Sequence, residues 1–285
     1  MIKAEIVCDS MAPSGVRLTT FVLTYPRFIH SEFMTHRMFS RNASSSRAIP
    51  VKKSIQMVRD NPAIPLAFTK NQKGMQGGAA LDQEAHDKAV KAWLEGRDRA
   101  VEIAERLADL EVHKQYANRV LEPWAHITVV VTATDWDNFF ALRCHEAAQP
   151  EIHALADQMY EAYIGSKPMH IKWQSWHLPF IDEEDLVVTK NFCWANGLST
   201  TKMLIKRSVA KCARVSYLNH DGSRTTIDQD IELYERLVGS APIHASPAEH
   251  QAKAIRDPKL RSGNLRGWIQ YRKLLANENV TNFRT

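Results

Sequence analysis

The run Val16–Tyr25, rich in Val, Thr, Phe and Leu, constrains the fold more than any other stretch of this chain. Such side chains crowd a helix and suit a pleated surface, so the run predicts a strand. Pro26 is expected to end it, because proline cannot donate to a ladder. Ala4–Cys8 and Ile127–Thr134 are also strand-like, the latter with Ile127, Val129 and Val131 alternating. Elsewhere the apolar spacing changes to three and four. Val90, Trp93, Leu94, Val101, Ala104 and Leu107 predict a long amphipathic helix. Pro150 opens another, with Ile152, Leu155, Ala156, Met159 and Tyr163 on one face. Helices are also predicted at Phe28–Arg37, near Ser199–Ser208 and near Asp228–Val238, and a strand at Ala213–Tyr217. Asn71–Gly78 reads as a glycine-rich loop, and the aperiodic, proline-bearing Gly165–Asp185 as a connector. Helices alternating with a few strands predict an α+β (mixed α/β) protein, with helices packed on a small sheet.

Composition narrows the class. At 285 residues, 44% hydrophobic and 24% charged, the chain is neither a disordered tail, a collagen-like repeat nor a small disulfide scaffold. It can form one large domain or two modest ones. No apolar run approaches the roughly 18–20 residues that cross a bilayer. Glu5 and Asp9 interrupt any apolar leader at the N-terminus, so a cytoplasmic protein is expected. Cys8, Cys144, Cys193 and Cys212 lack metal-ligand spacing and read as buried thiols of a reducing compartment. Lys and Arg number 37 against 32 acids, a charge of +5 that suits a phosphate-bearing small molecule as well as nucleic acid.

Three polar clusters carry the candidate chemistry. In Thr35–Arg47, His36, three arginines and four serines offer forked and short-range donors for a phosphate, or form a solvated loop. In His244–His250, two histidines and Glu249 surround a Ser-Pro turn that can bind metal, act as acid and base, or cap a helix, since Glu249 follows Ser246 by three. In Asn138–Arg143, followed by Ala148–Ile152, a half-buried Arg143 calls for an anionic partner, either a carboxylate of the chain or a ligand. No dinucleotide-binding glycine motif, P-loop, zinc-protease or nucleophile-elbow motif is present.

Together the clusters resemble the flavin-dependent thymidylate synthase family. Its R-H-R, seven residues and Ser correspond to Thr35-His36-Arg37, Met38–Ser44 and Ser45, with Arg47 following. Its N-x-x-x-L-R and A-Q-x-E-I blocks match Asn138–Arg143 and Ala148–Ile152, and its R-x-x-x-P element is similar to Arg119–Pro123. Its A-R-V-S and H-x-S-P-x-E-H blocks normally precede R-H-R. Here they are Ala213–Ser216 and His244–His250, so the order looks circularly permuted. The resemblance implies a single catalytic domain built from residues 1–164 and about 200–285, joined by a connector at 165–199.

It further implies that FAD is held by His36, Arg37, Asn138, His244, Ser246 and Glu249. The nucleotide would be held by Ser45, Ser46, Arg47 and Arg119, with Arg143 as the catalytic group against the pyrimidine. The reaction implied is dUMP to dTMP, with methylenetetrahydrofolate as one-carbon donor and NADPH as reductant, and with no metal or cysteine nucleophile. A homotetramer with sites between subunits is implied as well. Three positions depart from the family pattern: Thr35 replaces its first Arg, Glu32 its usual Gln, and Ala43 its usual acid. Arg41, Arg266 or Arg272 are the candidates to replace the missing guanidinium. Because the departures fall on the nucleotide side, hydroxymethylation of a deoxypyrimidine nucleotide is the alternative reaction. Nucleic-acid binding through the basic tail Arg261–Lys273, with Trp268 and Tyr271, is a weaker reading.

Overall fold

The structure, a computed structural model, describes residues 1–215 and 224–279. Among the described residues the central sheet has five strands: β1 (Lys3–Met11), β2 (Arg17–Pro26), β3 (Ser40–Ala43), β4 (His126–Ala133) and β5 (Met169–His170). They lie in the order β3-β4-β2-β1-β5, antiparallel except for β5 beside β1. Tyr25 pairs with Ile127, and Pro26, opposite His126, is the last paired residue, as its missing N–H demands.

Alternation along β2 and β4 gives the sheet two different faces. Around it pack α1 (His30–Met34), α2 (Val51–Asp60), α3 (Gln83–Asp109), α4 (Lys114–Ala117), α5 (Asp137–Arg143), α6 (Pro150–Gly165), α7 (Glu183–Asn196), α8 (Thr200–Arg214) and α9 (Ile227–Val238). Phe21, Leu23, Tyr25, Ile127, Val129 and Val131 meet Phe139 and Phe140 of α5 and Ile152, Leu155 and Met159 of α6 in the main core. The opposite face is of mixed polarity. Val22 and Val130 pack on Cys212, Val215 and Phe180, while Thr20 and Thr132 meet His177 and His250. The sheet is therefore a middle layer, with the C-terminal half of the chain covering its second face. A smaller sheet of β6 (Trp176–His177), β7 (Ala252–Ala254) and β10 (Trp268–Gln270) flanks it, with β8 (Arg261–Ser262) and β9 (Leu265–Arg266) as a short hairpin.

Several predicted elements change. The helix expected over Phe28–Arg37 is a 3-10 turn, Arg27–Ile29, followed by α1, which stops at Met34. It stops there because side chains take its last carbonyls: Thr35 donates to Glu32 and Arg41 to Met34. Between residues 165 and 199 the chain is not a plain connector, since it contains β5, β6 and α7. Asp182 and Asp185 close a capping box at the start of α7. The strand expected at Ala213–Tyr217 is the end of α8 for Ala213 and Arg214 and a turn at Val215; residues 216–217 lie outside the described residues. Helix continues there because Ala213 packs against Leu233 and Leu237 of α9 while Arg214 donates to Gln229 O at its start. Cys193 and Cys212 are buried, whereas Cys8 and Cys144 are half-buried.

Candidate active site

Edge strand β3 organises the site, because its flanking turns carry the predicted residues to both sides of the sheet. On the side of the main core, Phe39, Phe139 and Phe140 are buried and bring α5 against the turn that follows α1. His36 stands between two of these rings, stacked on Phe39 and edge-on to Phe139 with centroids 4.9 Å apart. Burial, then the Arg143 and Arg41 guanidiniums, push the imidazole down to about 4. It is thus a neutral acceptor at physiological pH. Arg143 Nε donates to His36 Nε2 across 2.9 Å, joining two motifs that are 107 residues apart.

The anionic partner expected for Arg143 is not found among the described residues, where its hydrogen-bond partner is this uncharged ring. Arg37 and Asn138 sit exposed nearby in sequence, their side chains without a hydrogen-bond partner among the described residues. Arg41 lies against the backbone at Thr35. Its Nη1 donates to Met34 O at 2.7 Å and His36 O at 3.3 Å, so the guanidinium brackets the backbone of Thr35. Arg266 is instead paired with Asp135, and Arg272 with Glu249 and Glu278. The basic tail is neutralised internally and Trp268 is fully buried, so neither forms the exposed basic and aromatic surface that nucleic-acid binding requires.

On the other side of β3, a cavity of about 400 Å³ gathers Asn42, Ser45, Arg47, Lys114, His244 and Ser246. Ser246 Oγ donates to Asn42 Oδ1 at 3.4 Å, and Asn42 Nδ2 donates to Cys212 O at 2.8 Å. Two motifs more than two hundred residues apart in sequence thus touch. Ser246–Glu249 is a 3-10 turn with Ala245 at its start, so the capping box does not form. Glu249 accepts from Arg272 instead. His244 is exposed, whereas His250 is fully buried on Thr132 Oγ1 at 2.8 Å; the two histidines and Glu249 do not converge on one point. Among the described residues no group of three His, Cys, Asp or Glu is placed to hold a metal ion.

Ser46 departs from its neighbours. Its hydroxyl donates to Glu122 Oε1 at 2.9 Å, and it lines a second cavity of about 290 Å³ with Ser44, Asn118 and Glu122. Ser45 and Arg47 therefore face one cavity while Ser44 and Ser46 face the other. Arg119 donates to Glu122 and lines neither.

Sequence reasoning missed Lys114, Asn118 and Glu122, which hold the serine segment from beneath; their four-residue spacing was the available signal. It also missed a buried hydrogen-bonded chain through the sheet. Ser10 Oγ meets His177 Nδ1, His177 Nε2 meets Thr20, Thr20 meets Thr132, and Thr132 meets His250. Burial pushes both imidazoles down to about 3, so the chain is neutral.

Comparison with known proteins bears on this geometry. The family of thymidylate synthase complementing proteins matches residues 16–168, a span that includes Thr35–Arg47, Arg119–Pro123 and Asn138–Ile152. No curated protein matches the chain. Solved structures that resemble it include the UMP/dUMP methylase PolB from Streptomyces cacaoi bound with 5-Br UMP, 20% identical, with a TM-score of 0.49 over 58% of this chain and 89% of that one. The same enzyme bound with 5-Br dUMP is 21% identical, with a TM-score of 0.49 over 58% and 90%. With the family model matched over more than half of this chain, the chain belongs to the thymidylate synthase complementing proteins, the flavin-dependent thymidylate synthase family, and is an enzyme of that methyltransferase type.

Proposed function

We propose that this protein is a cytoplasmic, FAD-dependent methylase that converts dUMP to dTMP, with methylenetetrahydrofolate as the one-carbon donor and NADPH as the reductant. The observation that carries this reading is the contact between Arg143 and neutral His36. Among the described residues it leaves the guanidinium without a carboxylate partner, beside an aromatic wall, where the carbonyl oxygens of a pyrimidine can meet it. In this role Arg143 holds the negative charge that develops on the ring, and His36 fixes its orientation without cancelling its charge. Ser45, Arg47 and Arg119 bind the phosphate, and Arg41 supplies the cation that Thr35 lacks.

The donor set also fits a flavin. Arg37 and Asn138, on one side of β3, and His244, on the other, are exposed and their side chains are unpartnered among the described residues, while Ser246 offers a hydroxyl in the same cavity as His244. Those residues, with His36 and Glu249, would hold the dinucleotide, and the bound flavin supplies hydride to the transferred carbon.

Each of these two sets is divided between the two sides of β3, and that division supports a homotetramer whose sites are completed between subunits. The contacts of Ser246 with Asn42 and of Gln270 with Ser40 support one catalytic unit, 1–164 with about 200–285, in a circularly permuted order.

The test is incubation of purified protein with dUMP, methylenetetrahydrofolate and NADPH, with products read by mass spectrometry. Yellow protein and formation of dTMP are expected. Absence of any altered nucleotide overturns the proposal, and a hydroxymethylated product replaces it with the alternative reaction.

A further inference from the structure

The serine segment rests on a single stripe of side chains. Lys114 Nζ donates to Ala48 O at 3.2 Å, and Asn118 Nδ2 donates to Ser46 O at 2.7 Å and Ile49 O at 2.8 Å. Four residues on, Glu122 Oε1 accepts from Ser46 Oγ at 2.9 Å. The same oxygen also accepts from Arg119 Nη1 at 2.9 Å and lies 3.0 Å from Arg27 Nη2. One carboxylate oxygen thus serves a hydroxyl and two guanidiniums. Buried Asn118 and half-buried Glu122 make the support rigid, whereas the Arg119 side chain is 54% exposed. A phosphate monoester carries more charge than a carboxylate and presents forked acceptors to a guanidinium. A shared carboxylate is a weak competitor for an exposed arginine.

We propose that Glu122 is the internal counter-anion of the phosphate-binding edge. In the empty protein it holds Arg119 and Arg27 while fixing the Ser46 turn, and it yields Arg119 to the phosphate of an arriving nucleotide. Glu122 is thereby a positioning residue: its charge sets how strongly a phosphate must compete for Arg119, and so tempers the affinity for a dianionic monoester while leaving that for an uncharged nucleoside unchanged. Asn118 holds the turn whether or not Arg119 has moved. This inference rests on the assignment of Arg119 to the nucleotide phosphate.

The variant Glu122→Gln separates the two roles, since an amide oxygen still accepts from Ser46 but no longer neutralises Arg119. Binding of dUMP, deoxyuridine and inorganic phosphate is measured by calorimetry on the full chain at fixed ionic strength. Glu122→Gln is expected to bind dUMP and phosphate about two- to five-fold more tightly, the worth of a partly exposed ion pair, with deoxyuridine unchanged. Arg119→Gln, a substitution at an exposed side chain, is expected to weaken dUMP and phosphate alone. In the double variant the gain should vanish. Equal or weaker dUMP binding by Glu122→Gln, an equal gain for deoxyuridine, or a gain that survives without Arg119 overturns the inference. If wild-type protein binds phosphate but not dUMP, the functional reading fails while the phosphate arm still decides the role of Glu122.

Discussion

At the scale of single residues, the site turns on one neutral imidazole and one guanidinium. Replacing Arg143 with Ala should lower turnover about 100-fold or more, the cost of losing a preorganised charge at the reacting ring. Flavin absorbance should persist in that variant, and its loss would place Arg143 at the cofactor instead. Acid acts on the same residues. Burial lowers His36 to about 4 and His177 and His250 to about 3, so in the folded protein they stay neutral where an unfolded chain has already begun to take up protons. Between roughly pH 6.5 and 5 the unfolded state therefore binds more protons, and stability falls as pH falls. Each such group contributes a slope of up to about 1.4 kcal/mol per pH unit. Urea midpoints should drop across that window before carboxylates titrate, and His250→Gln should flatten the slope. A midpoint independent of pH there would show that these rings are not held neutral by the fold.

At the scale of elements, α8 and α9 share an apolar seam through Ala210, Ala213, Leu233 and Leu237, and charge binds α7 to both. Arg207 of α8, fully buried, is held by Asp185 at 2.8 Å and Asp230 at 2.9 Å, with Thr189 at 2.8 Å; Lys211 and Arg214 complete the network. Asp230→Ala leaves a buried guanidinium half-paired and should cost about 3–5 kcal/mol in chemical denaturation. A loss below 1 kcal/mol would mean that water reaches the cluster. This architecture also explains what could be read in the sequence. The strands β2 and β4 and the helices α3 and α6 announced themselves because one face of each is apolar and the other is not. The helix α7 did not, since Leu186, Val187 and Val188 are exposed while Asp185 is buried, the reverse of an amphipathic pattern. At the site, His36, Ser45, Arg47, Arg143, His244 and Ser246 were legible as motif residues. The supporting residues Asn118, Glu122, Thr132 and His177 were not, because each is a polar residue whose importance comes from the contacts it makes in the fold.

At the scale of the whole molecule, the outward faces are unusually apolar in two places. Trp194 is 88% exposed, with Val187 and Leu198 beside it on and after α7, and Leu142 and Ile164 project from α5 and α6. Exposed apolar patches of this kind mark contact surfaces. Light scattering should give a mass of four chains, and Trp194→Glu should shift it downward if α7 lies at a subunit contact; a monomer at micromolar concentration would remove the basis for shared sites. No helix among the described residues is long and apolar enough to cross a membrane.

The two-faced sheet has a further consequence, for the order in which the chain is made. Strand β4 leaves the ribosome with α5 and α6, the helices that cover the first face of the sheet, close behind. The second face waits for His177, α8 and His250, and the last of these lies 118 residues beyond Thr132. At about 5–20 residues per second that interval is on the order of 10 s. For much of it, until Phe180, Cys212 and Val215 emerge, Val22 and Val130 stand uncovered on a nascent chain. The enzyme is therefore expected to be most vulnerable to aggregation, and most dependent on chaperones, during its own synthesis.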